Sequence, residues 1–267
     1  MGFLTGKKFL ITGISSNRSI AYGIAKACAR EGAELALSYN NERFKERVQG
    51  FADEFGAGQV IKLDASSDES IDLAALELAN RWTDGFDGFV HSIGWAPRES
   101  ISGSFLEGAS REGFLSAMNV SVYSYIAMAK RMVPLMAGHK ASLLTLSYLG
   151  GEKVPNYNTM GLCKAALESA TRYIAADVGP QGIRANTLSC GPIKTLAASG
   201  IKGFSSMLAQ CKAVSPTRSL VSIDEVGNTA AFLLSDNSLG ITAETIYIDG
   251  GFNALACCVD QTASENA

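Results

Sequence analysis

Short apolar runs rich in β-branched and aromatic residues recur near residues 7–12, 34–39, 59–63, 87–92, 141–147, 184–189 and 244–249. Between most of them apolar residues return every three or four positions, near 19–31, 40–55, 67–83, 111–137, 157–178 and 222–236. A shorter stretch of the same kind near 203–213 follows an irregular segment. The first pattern reads as buried strands and the second as helices with one apolar face. Their alternation predicts an α/β fold, a doubly wound parallel sheet of about seven strands with right-handed crossovers and helices on both faces. Ligands of such a sheet bind at the carboxyl ends of the strands, so the residues that follow each strand are the ones to inspect.

Composition narrows the function. The 267 residues suit one domain, taken here as residues 1–258 with a flexible tail over 259–267. Apolar residues make up 47% and charged residues 18%, without repeats or like-charge blocks, which excludes a disordered or solenoid chain. A net charge of −3 offers no stripe for a polyanion, so no nucleic acid partner is expected. No membrane is expected either: the amino terminus runs directly into the first strand and no apolar run is long enough to span, which points to a cytoplasmic protein. The six cysteines, including the vicinal Cys257 and Cys258, are scattered and read as reduced thiols, and two histidines without a Cys-x-x-Cys give no ligand set for a metal.

The strongest candidate chemistry lies in the passage from Ser147 and Tyr148 to Tyr157 and Lys164. Tyr157 and Lys164 are seven positions apart, about 20° short of two full turns, so a helix puts them on one face. A phenol can hydrogen-bond to an oxygen that gains negative charge, and a nearby ammonium favours its ionised form, which suits chemistry at a carbonyl. A second candidate is the first strand's end, where Gly13 and the run to Ser19, Ile20 and Gly23 open a helix whose N-terminus could hold a pyrophosphate. The turn is not Gly-x-Gly-x-x-Gly, and a plain structural turn fits almost as well. Asn40 ends the second strand where an acid usually marks NAD and a base NADP, with Arg43 and Lys45 nearby. Asp64 and Ala65 follow the third strand, where an acceptor could meet an adenine amino group, although aspartates also cap turns. His91 ends the fourth strand and reads as a structural histidine, as does His139.

The segments Ser-Tyr-Leu-Gly, Pro-Asn-Tyr-Asn-x-Met-Gly-Leu-x-Lys and Gly191-Pro-Ile-Lys-Thr-Leu-Ala-Ala-Ser-Gly200 together resemble the bacterial enoyl-acyl-carrier-protein reductases, along nearly the whole chain. These form a divergent branch of the short-chain dehydrogenase/reductase superfamily; its ordinary members carry Tyr-x-x-x-Lys, whereas the fourth residue after Tyr157 here is Gly161. The resemblance implies a Rossmann-type fold and transfer of hydride from NADH, less readily NADPH, to the β-carbon of a trans-2-enoyl thioester in fatty-acid elongation. It implies Tyr157 as donor to the resulting enolate, Lys164 on the nicotinamide ribose and Tyr148 as a second phenol near the thioester. It adds Gly13, Ser19, Ile20, Ser92, Ile93, Gly94, Ile193 and Thr195 as cofactor contacts.

Ala96, Met160, Pro192, Ile201 and Phe204 would line the acyl channel, within a substrate loop near 192–213 that closes over the chain. The acyl carrier protein and a homotetramer are the implied partners. Relatives present several cations near that loop where this chain has Lys202, so weaker carrier-protein docking is expected. The alternatives are an ordinary carbonyl or alcohol dehydrogenase, with Ser147 or Ser142 as its serine, or a non-catalytic dinucleotide-binding protein. A hydrolase lacks its Gly-x-Ser-x-Gly elbow.

Overall fold

The computed structural model describes residues 2–149, 153, 157–195 and 204–255. Its sheet has seven strands: β1 (Lys8–Ile11), β2 (Glu34–Tyr39), β3 (Ile61–Lys62), β4 (Gly88–His91), β5 (Ser142–Ser147), β6 (Arg184–Cys190) and β7 (Thr245–Ile248). All neighbours pair in parallel, in the order β3-β2-β1-β4-β5-β6-β7. The order reverses between β1 and β4, and the crevice at their carboxyl ends is where this topology accommodates a ligand.

The helices are α1 (Ile20–Arg30), α2 (Glu42–Phe55), α3 (Asp68–Arg81), the single turn α4 (Phe105–Gly108), α5 (Arg111–Met118), α6 (Ser124–Met132), α7 (Asn158–Val178), α8 (Phe204–Val214) and α9 (Ile223–Leu234). Alternation along the strands feeds two cores. Phe9 and Ile11 of β1 pack on one face with Ile24 of α1 and Val226 of α9, while Leu10 between them packs on the other with Ile71 of α3, Met128 of α6 and Leu167 of α7. Side chains cap several helices: Asn41 accepts from the Arg43 N–H, Ser67 from the Ser70 N–H, and Ser222 with Glu225 forms a capping box at α9.

The expected helix over 111–137 is interrupted. Between α5 and α6 the chain makes a wide π-type turn over Asn119–Tyr123, and a 3₁₀ turn with Pro134 follows at Val133–Met136. The wide turn has work for its serines. Ser121 accepts from the Trp95 N–H and donates to the Trp95 carbonyl, both at 2.9 Å, and Ser124, which begins α6, meets His91 Nε2 at 2.8 Å. The single turn α4 and the 3₁₀ turn Arg98–Ile101 are too short to leave a periodic signal.

Candidate active site

Thr12 binds the two central strands together where their order reverses. Its hydroxyl donates to the Val90 carbonyl at 2.9 Å and accepts from the Ser92 N–H at 3.2 Å, so the ends of β1 and β4 are held in one frame. The next residue, Gly13, has φ +84°, and a Cβ there would stand 2.0 Å from the Ser92 carbonyl oxygen. Only glycine permits that turn and that approach. The chain then folds around Ser19, whose hydroxyl accepts from the Ser15 and Ser16 N–H groups and donates to the Ser16 carbonyl. Ser19 thereby shapes the turn and leaves the N-terminus of α1 without a side-chain cap; no acidic residue occupies the first turn. An uncapped helix start beside a glycine turn suits a pyrophosphate.

A cavity of about 200 Å³ extends from this turn to α7 and α8. Gly13, Ser19, Ile20, Ser92, Ile93, Gly94, Tyr148, Tyr157, Lys164, Pro192, Ile193, Thr195 and Phe204 line it, so most of the residues singled out in the sequence converge here. The cavity wall also includes Ser15, Leu146 and Met207, which the sequence reading overlooks. Met207 had a findable signal, since it follows Phe204 by three positions on the same helix. The others lacked one: Ser15 lies in an irregular turn, and Leu146 contributes a backbone carbonyl.

The cavity wall does not include Asn40, Asp64, Ala65, Ala96 or Met160. Asn40 is exposed at the end of β2, and the nearby cations rest on aromatic rings: Arg43 lies 4.5 Å from the Phe44 centroid and Lys45 5.8 Å from that of Tyr39. Asp64 accepts from the Ser66 N–H at 2.9 Å and from its hydroxyl at 2.7 Å, which is the turn-capping alternative. Ala65 is buried in the core, and Ala96 packs against it. Met160 is buried behind Gly94, where its sulfur accepts from Ser121. Gly23 is not part of the turn at all: a Cβ there would meet the Ile223 carbonyl oxygen at 2.2 Å, and one on Gly227 would meet the Gly23 carbonyl oxygen at 2.3 Å. This glycine pair lets α1 and α9 cross closely. Ile201 and Lys202, the loop 196–203, Cys257 and Cys258 lie outside the described residues.

The α7 face carries the chemistry. Tyr157 stands at the N-cap, Asn158 begins the helix with φ +43°, and Lys164 lies two turns along. The Lys164 ammonium is buried and donates to the Leu146 carbonyl at 2.8 Å. Burial pushes it down to about 8, against the opposing influence of Cys163, Cys190 and Glu168. A Cβ on Gly94 would rest in ordinary contact with Nζ, at 3.6 Å. The Tyr148 and Tyr157 rings meet edge to face with centroids 5.9 Å apart, and the Tyr148 hydroxyl donates to the Met207 sulfur at 3.7 Å. Leu149, which follows Tyr148, adopts φ +46°, a conformation that costs a leucine about 1–2 kcal/mol and turns the chain sharply out of β5.

The electrostatics revise one expectation. The sequence suggests that Lys164 would favour the ionised phenol of Tyr157. Burial dominates instead, and the Tyr157 hydroxyl is pushed up, as is that of Tyr148. Both therefore present neutral O–H donors near pH 7. His91 is a structural residue: its ring nitrogens meet Thr145 at 3.0 Å and Ser124 at 2.8 Å, and burial first, then Lys164, pushes it down to about 3. His139 pairs with Asp87 at the opposite end of the sheet. Ser142 donates to the Leu233 carbonyl in the interior, whereas Ser147 lines the cavity and donates to Glu168. The described cysteines Cys28, Cys163, Cys190 and Cys211 are free and buried.

This site fits a dinucleotide from its uncapped helix start to the Lys164 ammonium, with Ile193 and Thr195 on the β6 side. The model of the enoyl-(acyl carrier protein) reductase family matches residues 13–253. The chain is 53% identical over 257 residues to the enoyl-[acyl-carrier-protein] reductase [NADH] FabI of Salmonella typhimurium, covering 96% of this chain and 97% of that one. Its structure is similar to the crystal structure of the NADH enoyl reductase of Aquifex aeolicus, with a TM-score of 0.93 and 45% identity over 96% of this chain and 100% of the other. It is also similar to the Anaplasma phagocytophilum enzyme in complex with NAD, with a TM-score of 0.92 and 41% identity over 97% and 98% of the two chains.

Proposed function

The chain belongs to the enoyl-[acyl-carrier-protein] reductases, an NADH-dependent family of oxidoreductases within the short-chain dehydrogenases, and we propose that it reduces trans-2-enoyl thioesters through an enolate held by Tyr157. One observation carries the reading: Tyr157, edge to face with Tyr148, shares one cavity with Lys164 and the Gly13–Ile20 turn. Bound NADH supplies the hydride that the β-carbon of the enoyl chain receives. As that carbon is reduced, negative charge moves to the thioester oxygen, and a preorganised donor aimed at it lowers the barrier. Tyr157 is that donor. The buried Lys164 ammonium binds the ribose side of the cofactor and adds positive potential. Tyr148, engaged by Met207, shapes the pocket beside the thioester.

The uncapped start of α1 with Gly13, Ser19 and Ile20 takes the pyrophosphate, and Asn40, exposed at the end of β2, attends the adenosine end. Ser92, Ile93 and Gly94 run beneath the cofactor, with Ile193 and Thr195 at the carboxamide. Pro192 and Phe204 border the acyl chain. The acyl carrier protein delivers that chain, and with Lys202 alone where relatives present several cations its docking is expected to be weaker. Half-exposed apolar residues on α5 to α7, among them Phe114, Leu115, Ile126 and Leu162, support a homotetramer built on these helices. Free buried thiols suit a reducing cytoplasm. Among the described residues no helix is long and apolar enough to cross a membrane.

The test follows NADH absorbance with a trans-2-enoyl thioester and, in parallel, a 3-ketoacyl thioester, then repeats both with NADPH. Oxidation with the enoyl substrate alone is expected. Oxidation with the keto substrate instead would move the protein to the ordinary carbonyl reductases, and silence with both despite NADH binding would leave a non-catalytic binding protein.

A further inference from the structure

The mechanism leaves a buried carboxylate next to Lys164 on α7 without a task. Glu168 lies on α7 one turn beyond Lys164, at 4% exposure, and the Ser147 hydroxyl donates a hydrogen bond to its Oε1. The preceding residue on β5, Leu146, offers its carbonyl to the Lys164 ammonium at 2.8 Å. Two consecutive residues at the end of β5 are thus held by two side chains four apart on α7, a spacing that places both on one helix face. Tyr148 is the next residue along the chain.

A buried carboxylate and a buried ammonium each lose hydration, and neither is stably kept without a countercharge or hydrogen bonds. The surroundings of Lys164 are sparse in charge. Cys163 on α7 and Cys190 at the end of β6 are thiols pushed up by burial, Cys190 to about 12. His91 on β4 is neutral at pH 7, and Tyr157 keeps its proton. Among the described residues the charged lysine is favoured by Cys163, then Cys190, then Glu168, and of these three Glu168 is the carboxylate.

We propose that Glu168 is a positioning residue of the reductase site: its carboxylate provides the countercharge for the Lys164 ammonium, and through Ser147 it fixes the end of β5 from which Tyr148 extends. The cofactor consequence rests on the reading that Lys164 holds NADH. Glu168 acts through Lys164 and Ser147 and touches neither substrate nor cofactor. Ser147 separates its two tasks, since Ser147→Ala removes the strand anchor and keeps the charge, whereas Glu168→Gln removes the charge and keeps an acceptor for Ser147.

Two measurements on the purified full chain test this. The titration of Lys164 is followed by the ¹³Cε shift of labelled lysine, assigned with Lys164→Arg, and the Kd for NADH is measured over the same pH range. A lysine is charged below its pKa, so loss of the Glu168 charge brings ammonium loss at lower pH. The Lys164 midpoint is expected to fall in Glu168→Gln, to stay in place in Ser147→Ala, and to be restored toward wild type in Glu168→Asp. Ser147→Ala is expected to lower kcat through Tyr148. The NADH affinity of Glu168→Gln should match wild type at pH 6 and weaken at a lower pH than wild type does. An unmoved Lys164 midpoint in Glu168→Gln, or equal displacement in both variants, overturns the proposal. A midpoint that moves while NADH affinity does not follow it upholds the proposal and refutes the cofactor role of Lys164.

Discussion

Replacing Gly23 by alanine separates a packing role from a cofactor role for a glycine that the sequence places in the phosphate turn. The added Cβ would sit 2.2 Å from the Ile223 carbonyl oxygen, 2.7 Å from its carbon and 2.9 Å from Ile223 Cβ. Ordinary contact begins near 3.4 Å, so α1 and α9 would have to part by more than 1 Å. The two nearest obstacles are backbone atoms at the start of α9, which cannot rotate aside. Overpacking of this kind costs about 1–3 kcal/mol, and a rigid neighbour puts the cost at the upper end. Alanine recovers about 1 kcal/mol through helix propensity at an open site, which Gly50 on α2 measures, because nothing lies within 4 Å of its added Cβ. For a chain of this length a change of 1 kcal/mol moves Tm by about 2 °C. Calorimetry should therefore show Gly23→Ala, net of the same propensity gain, lower in Tm by roughly 2–4 °C and Gly50→Ala higher by about 1–2 °C. NADH affinity below the transition should change little in both. A Gly23→Ala protein with wild-type Tm and lost NADH affinity would refute the argument and return this glycine to the cofactor.

Tyr157→Phe removes the donor and leaves the ring, so kcat with an enoyl thioester should fall by about 10²–10³-fold while the NADH Kd, read by fluorescence, stays within twofold (roughly) of wild type. A parallel loss of NADH affinity would place the hydroxyl on the cofactor. Thr12→Val keeps the shape and removes both hydrogen bonds to β4, leaving the Ser92 N–H without that acceptor; urea unfolding should show a loss of about 1–2 kcal/mol, with a raised NADH KM. His91 is held down to about 3 from 6.5, so its contribution to stability is complete above pH 6.5 and is lost as pH falls toward 3. It steepens the acid limb by at most about 1.4 kcal/mol per pH unit, and His91→Gln should flatten that limb in urea titrations at pH 7 to 4. An identical slope in both proteins would show that His91 titrates normally.

The strands, the order of helices between them and the pairing of Tyr157 with Lys164 were legible because each is written in neighbouring residues. A run such as Lys8–Ile11 declares its two faces by alternation. The seven-residue spacing brought Tyr157 and Lys164 into one cavity, but Tyr157 stands at the non-helical N-cap of α7 and not on the helix face that the spacing implied. The turn after β1 was legible in part: Gly13 belongs to it, while Gly23 belongs to a helix crossing that depends on Gly227, distant in the chain. The break at Asn119–Tyr123 left no local mark, since Ser121 within it answers to Trp95 and Ser124 just after it to His91.

The chemistry divides in the same way. The sequence by itself determined which groups gather at the strand ends, since parallel crossovers deliver every β-to-α turn to one edge of the sheet. Only the tertiary structure decided their state. Packing sets Glu168 beside Ser147, and desolvation raises the Tyr157 phenol and lowers the Lys164 ammonium, because burial depends on what packs around a group and no stretch of neighbouring residues records it.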